Sequence, residues 1–242
     1  MRAVLLAAGL GTRLLPLTES VPKCLVQLGG RPLLDYWFES LTRANIGPFL
    51  VNTHHLAHAV RRCIEDSGYN RHVTLSHESE LLGTGGTLLA NRQFFNRDPV
   101  LLAHADNLCL CDFRAFRQAH ERRQASSVIT MMTFRTSTPE ACGIVEIDEQ
   151  GLVTSFYEKV DDPPGNIANG AVYIVEPTAV DFLASLNKHY IDFSTEVIPR
   201  FIGQIHTWAN TGIHHDIGTP GGLEKAKRSL ERITSKGSHR MA

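Results

Sequence analysis

From Ala3 to Arg123 short apolar runs alternate with stretches of helical periodicity, an order that few folds accept. "AVLLAA" (3–8), "PFLVNT" (48–53), "HVTLSHE" (72–78) and "PVLLAHAD" (99–106) read as buried strands. Between them, "PLLDYWFESLTRA" puts Leu33, Leu34, Trp37, Phe38 and Leu41 on one helical face, with Pro32 suited to the first turn. "LAHAVRRCIED" (56–66), "GTLLANRQFF" (86–95) and "FRAFRQAHERR" (113–123) read as further helices. Strands alternating with helices predict βαβ units. The expected fold is therefore α/β, with a Rossmann-like mixed, mostly parallel sheet flanked by helices. Ligands of such sheets bind beyond the carboxyl ends of the strands. The glycine loop at 9–11, Glu78, "GTGG" (83–86) and Asp106 all fall at such ends.

The second half changes character. "SSVITMMTFR", "GIVEID", "LVTSFYEK" and "GAVYIVE" read as strands separated by the turn signals "DEQG" and "DDPPGN". "STEVIPRFI" reads as a helix, "IHTWAN" and "IHHDIG" as short strands, and "PGGLEKAKRSLERI" as a closing helix. No Ser/Pro-rich linker and no internal repeat divides the chain. One domain over residues 1–235 is expected, with halves 1–125 and 126–235 and a disordered tail at 236–242.

Composition excludes several classes of function. The net charge of -1 creates no field that would draw the chain to nucleic acid or an acidic membrane. The apolar run Ala3–Ala8 is too short for a signal peptide, and no stretch approaches the roughly 20 apolar residues of a membrane span. Cys24, Cys63, Cys109, Cys111 and Cys142 are odd in number and irregular in spacing, which suits a reducing cytoplasm. Neighbouring strand residues face opposite ways, so His54-His55 and His214-His215 do not read as chelating pairs. Apolar residues around Trp208 are an expected dimer contact.

"LLAAGLGTRLLPLT" (5–18) opens in a way shared by three kinds of phosphate loop. A Walker A loop needs wider glycine spacing and a following Lys-Ser or Lys-Thr, both missing. The dinucleotide fingerprint G-x-G-x-x-G meets Leu14 where its third glycine should stand, and Pro16 interrupts the helix that should follow. The third kind wraps a nucleoside triphosphate in backbone amides, with Arg13 and Lys23 supplying cations. A tight turn with surface Arg and Lys is the bland alternative.

The longer pattern resembles the sugar nucleotidyltransferases, the nucleotide-sugar pyrophosphorylases. "LAAGLGTRLLPLT" followed by "PK" resembles their signature, and "LGTGG" (82–86) their second nucleotide loop. "HAD" (104–106) resembles their metal-binding strand end, and "EK" (158–159) their sugar-phosphate contact. "NGAVYIV" (169–175) resembles their sugar-binding strand, and "DIGTP" (216–220) their second metal aspartate. The motifs follow family order from about residue 3 to residue 228. Ala105 departs from the usual glycine before the metal aspartate, "EKV" from "EKP" and "NGA" from "NAG".

The resemblance implies attack by a sugar 1-phosphate oxygen on the α-phosphorus of a nucleoside triphosphate, releasing pyrophosphate. The attacker is already an anion, since a phosphate second pKa is roughly 6, so no general base is required. Catalysis reduces to positioning and neutralising crowded negative charge. Carried over residue by residue, Ala7, Ala8, Gly9, Gly11, Thr12, Arg13, Glu78 and Gly83 would bind the nucleotide. Arg13, Lys23, Asp106 and Asp216 would be catalytic, with Asp106 and Asp216 holding Mg²⁺. Gly143, Glu158, Lys159 and Asn169 would bind the sugar phosphate. Asp106 as a helix cap, Lys159 paired with Glu158, and Asn169 and Thr12 as turn residues are the structural alternatives.

An ionised Glu78 would suit guanine, which offers N1–H and a 2-amino group side by side, whereas uracil would suit Gln better. GTP with a hexose or heptose 1-phosphate is expected, and UTP with an amino-sugar 1-phosphate is the alternative. The chain shows no hexapeptide repeats of a C-terminal β-helix, so a short, single-function form is expected, similar to heptose or mannose 1-phosphate guanylyltransferases and amino-sugar 1-phosphate uridylyltransferases. A related glycosyltransferase would want D-x-D, where this chain has Asp106-Asn107-Leu108. A non-catalytic nucleotide-sugar sensor would normally lack Arg13, Lys23 or a metal aspartate, and all are present.

Overall fold

Apolar side chains on both faces let β1 (Arg2–Leu6) lie at the centre of the molecule, with Ala3, Val4 and Leu5 fully buried. A computed structural model describes residues 1–238. After β1 come the ribbon strands β2 (Gln27–Leu28) and β3 (Arg31–Pro32), α1 (Leu33–Arg43), β4 (Phe49–Thr53), α2 (Ala57–Glu65) and β5 (Val73–His77). Then come α3 (Gly83–Ala90), the single turn α4 (Arg92–Phe95), β6 (Val100–His104), β7 (Asn107–Leu110) and α5 (Phe113–Arg122). The second half adds β8 (Ile129–Arg135), β9 (Gly143–Ile147), β10 (Val153–Glu158), β11 (Ile167–Val175) and α6 (Pro177–Ser185). The chain continues with β12 (Ile205–Ala209), β13 (Ile213–Asp216) and α7 (Pro220–Ser238).

One nine-stranded sheet runs β10-β9-β11-β6-β1-β4-β5, with β8 paired to β11 and β12 to β8. The β6-β1-β4-β5 part is parallel, and β11 joins β6 antiparallel. The two sequence halves therefore share one sheet, joined at β6 and β11. Helix α1 buries the predicted face, Leu33, Leu34, Trp37, Phe38 and Leu41, and the Trp37 indole donates to the Asn107 carbonyl at 2.9 Å.

Three expectations change. "HAD" does not simply end a strand: β7 follows at once and pairs antiparallel with β13, setting Asn107 opposite Asp216. The single helix expected over 86–95 is two, α3 and α4, separated at Asn91. "STEVIPRFI" is a π-turn at Phe193–Val197 followed by a 3-10 turn at Ile198–Phe201, because Pro199 has no amide hydrogen to continue a helix. Trp208, around which a dimer contact is expected, is half-buried, with its ring 5.5 Å from that of Phe116. Helix α7 reaches Ser238, inside the expected tail; residues 239–242 lie outside the described residues.

Candidate active site at the carboxyl edge of the sheet

Gly11 takes φ +67°, and a Cβ there would lie 2.8 Å from Thr18 Cγ2. The Thr18 hydroxyl donates to the Gly11 carbonyl at 2.8 Å. This pins the loop after β1 and leaves Gly9, Thr12 and Arg13 exposed at its rim. A 3-10 turn, Lys23–Leu25, follows Pro22 and buries Lys23. Cys24 is buried in the core, and burial pushes its thiol up to about 12.

Four charged residues from well-separated segments meet. Lys23 Nζ lies 2.8 Å from Asp106 Oδ2 and 3.0 Å from Asp216 Oδ1. Arg13 Nη2 approaches the other Asp216 oxygen at 3.3 Å. The β7–β13 ribbon brings the two aspartates to one ammonium: Asp106 precedes β7 and Asp216 closes β13. Asp106 therefore faces a cation rather than capping a helix; Asp112 caps α5, accepting from the Arg114 and Ala115 amides. Burial would raise the Asp216 carboxyl. Lys23, the Gly218 amide (2.7 Å) and Arg13 outweigh it and hold the group below the usual carboxylate range. Gly218 is a requirement of this cluster. A Cβ there would stand 2.7 Å from Arg13 Nη2 and 2.8 Å from both Asp216 Oδ1 and Lys23 Nζ.

Beside the cluster lies a cleft of about 230 Å³ lined by Ala8, Gly9, Glu78, Gly83 and Asp106 among the expected residues. Sequence reasoning missed Asn52, Thr84, Thr87, His104 and Tyr190, which also line it. Asn52 organises the floor. Its Oδ1 accepts the Ala7 amide at 2.6 Å and its Nδ2 donates to Glu78 Oε1 at 2.9 Å. The Thr87 hydroxyl donates to the same Glu78 oxygen at 2.6 Å, and the Leu82 amide to Oε2 at 3.1 Å. Three of the roughly four acceptor positions of the carboxylate are thus occupied, as is the Ala7 amide. The expected paired reception of two guanine donors by Glu78 does not match this geometry, because only one position, on Oε2, is left. His104 stands two residues before Asp106 in the same cleft, and burial lowers its pKa against the opposing pull of Asp106.

Among the residues expected to bind the sugar phosphate, β9–β10 pairing sets Gly143 against Glu158. A Cβ on Gly143 would meet Glu158 Oε2 at 2.7 Å, so the carboxylate lies directly on the bare strand. Lys159 has φ +50° and its ammonium, 3.2 Å from Glu158 Oε1, projects from the strand end. Asn169 donates to the Tyr173 hydroxyl at 2.7 Å and accepts from the Ala171 amide at 3.0 Å. It keeps one N–H and one acceptor position unoccupied by these bonds. The "GTGG" glycines serve packing as well as the cleft. The Gly85 and Gly86 amides donate to the Ile191 carbonyl at 2.9 and 3.2 Å, and a Cβ on Gly83 would stand 2.5 Å from that oxygen.

The sequence profile described as "Nucleotidyl transferase" matches residues 2–233. The chain belongs to the nucleotidyl transferase family. This nucleotidyl transferase is 28% identical over 231 residues to the mannose-1-phosphate guanyltransferase of Schizosaccharomyces pombe, a match covering 91% of this chain and 61% of that one. It is 30% identical over 227 residues to the mannose-1-phosphate guanylyltransferase catalytic subunit beta of Drosophila melanogaster, covering 90% and 60%. The chain thus spans about three-fifths of the length of these curated relatives. In fold it is similar to HddC from Yersinia pseudotuberculosis solved with GMP-PN, at TM-score 0.79 and 24% identity over 95% of this chain and 99% of that one. A putative glucose-1-phosphate thymidylyltransferase from Bacillus anthracis, solved with a sucrose, gives TM-score 0.84 at 19% identity, over 94% of each chain. Among the described residues no helix is long and apolar enough to cross a membrane.

Proposed function

We propose that this nucleotidyl transferase joins a nucleoside triphosphate to a sugar 1-phosphate, yielding a nucleotide-sugar and pyrophosphate. One observation carries the reading: Arg13, Lys23, Asp106 and Asp216 converge at the edge of the cleft that the glycine loop lines. Phosphoryl chemistry with an anionic attacker needs cations and positioned amides rather than a nucleophile and base, and that is what is assembled here. The favoured substrates are GTP and a hexose or heptose 1-phosphate, supported by the guanylyltransferase names of the curated relatives.

Asp106 and Asp216 fit Mg²⁺. Two carboxylates already share one cation, and among the described residues no third acidic, His or Cys ligand joins them. Magnesium commonly takes one or two carboxylates and fills its remaining positions with substrate phosphates and water. Bound there it would supply electrophilic stabilisation of phosphate charge. Lys23 orients both carboxylates, Arg13 faces the outgoing pyrophosphate, and Lys159 at the strand end takes the sugar phosphate.

A screen of pyrophosphate release, crossing nucleoside triphosphates with sugar 1-phosphates, tests the reading. Turnover is expected with GTP and a hexose or heptose 1-phosphate and to vanish on chelation of Mg²⁺. Asp106→Asn and Asp216→Asn should each lower kcat by about 10² or more. Near-normal turnover in both variants would remove the metal assignment, and no turnover on any pair would remove the function.

A further inference from the structure

The segment 186–192 lies across the amino end of α3 as a strap. The Ile191 amide donates to the Leu82 carbonyl at 2.9 Å, and the Ile191 carbonyl receives the Gly85 and Gly86 amides. The Phe193 amide donates to Thr84 Oγ1 at 2.8 Å, fixing the strap again just beyond. Such an approach needs bare glycines beneath it: a Cβ on Gly86 would lie 2.6 Å from the His189 carbonyl oxygen. The strap delivers Tyr190 to the cleft. Tyr190 is 58% exposed, and Leu81, which lines the same cleft, is 39% exposed. Tyr190 and Leu81 leave apolar surface open on one cleft, where a flat apolar group can lie.

The direction in which a nucleotide lies follows from its covalent order: base, ribose, phosphates. The phosphate end belongs at Asp106, beside Lys23, after β6. Leu81 is at the other end, after β5, with β1 and β4 intervening, and Tyr190 enters the same cleft from the strap. Three strand spacings, about 14 Å, separate the ends of β6 and β5, room for a nucleoside monophosphate laid across them. Glu78 sits at that far end with its carboxylate largely occupied by Asn52, Thr87 and Leu82.

We propose that Tyr190 and Leu81 hold the nucleobase by its faces, so that Tyr190 is a nucleotide-binding residue and Glu78 shapes the floor instead of reading the base edge. This rests on the nucleotidyl transfer reading. Base–aromatic stacking tolerates every base because each has a π face, and a purine covers more of the ring than a pyrimidine does. Tyr190 contributes to affinity for the nucleotide and to purine preference, and has no part in the transfer itself.

The test is calorimetric titration of the purified chain with GTP, UTP and inorganic pyrophosphate, alongside steady-state kinetics, for wild type, Tyr190→Ala and Tyr190→Phe. Tyr190→Ala should weaken GTP by about tenfold, and UTP by less. It should leave pyrophosphate, the KM for sugar phosphate and kcat at saturating GTP unchanged, and Tyr190→Phe should restore wild-type affinity. Equal weakening of GTP and pyrophosphate would show that the substitution disturbs the loop, and would overturn the proposal. So would unchanged GTP affinity. Wild type that neither binds nor turns over any nucleotide would instead overturn the transferase reading, so the two failures are separable.

Discussion

At the residue scale the site depends on what is absent as much as on what is present. Lys23, Arg13 and Asp216 crowd the space that a side chain at Gly218 would fill. The atoms that an added methyl would meet are the side-chain ends of Arg13, Asp216 and Lys23 rather than backbone, so the fold can absorb Gly218→Ala by moving them. The expected cost falls on chemistry. Lys23 would lose its position between the two carboxylates, and kcat should drop by about tenfold to a hundredfold. The melting temperature should change by no more than a few degrees, since Ala removes no core contact. Turnover and melting measured on the same preparation decide it, and a variant with normal kcat would show that Lys23 need not sit there. Asn52 is the opposite case. It ties the Ala7 amide to Glu78, yet its place inside an apolar strand gave no functional signal. Hydrogen bonding between residues 45 positions apart is a property of the folded sheet, not of local pattern.

At the element scale the βαβ half was legible because its strands are buried on both faces and its helices carry one apolar face. Four residues of β7 were not, because "NLCL" is short and acquires meaning only when β13 arrives from the other end of the chain. Asp106 and Asp216 could each be recognised from their motifs. Their meeting could not, because it is made by that late ribbon. The "LGTGG" motif resembles a nucleotide loop, but its role under the strap was hidden, since the partner segment carries no motif. Gly86→Ala tests that role. Its Cβ would meet backbone at His189, which cannot rotate away as a side-chain tip can. The strap should lift and carry Tyr190 from the cleft, raising KM for the nucleotide about tenfold while KM for the sugar phosphate stays near wild type. A uniform rise in both constants would mean that α3 itself had moved.

At the scale of the whole molecule the two halves are held by one sheet and by a buried polar joint that links α5 to β8 and to the residue ahead of α6. His120 of α5 contacts Thr130 Oγ1 of β8 at 2.8 Å through Nδ1. Its Nε2 is 3.1 Å from Glu176 Oε1, ahead of α6, but Arg123 takes that same oxygen. Burial, and then Arg123 and His206, push the His120 pKa down to about 3, so the ring stays neutral at ordinary pH. An unfolded histidine titrates near 6.5. Between pH 6.5 and about 3 the unfolded chain therefore binds a proton here that the folded chain refuses. Stability rises with pH across that window and falls as the solution is acidified, by up to about 1.4 kcal/mol per pH unit from this group. His206, also lowered by burial and Arg123, adds to the same slope. His120→Asn keeps a polar partner for Thr130 but cannot titrate. Urea unfolding of wild type and His120→Asn at several pH values from 7.5 to 5 should show a shallower pH dependence in the variant. Parallel curves would mean that His120 accepts its proton without parting the halves, and that Glu176 serves two cations at once.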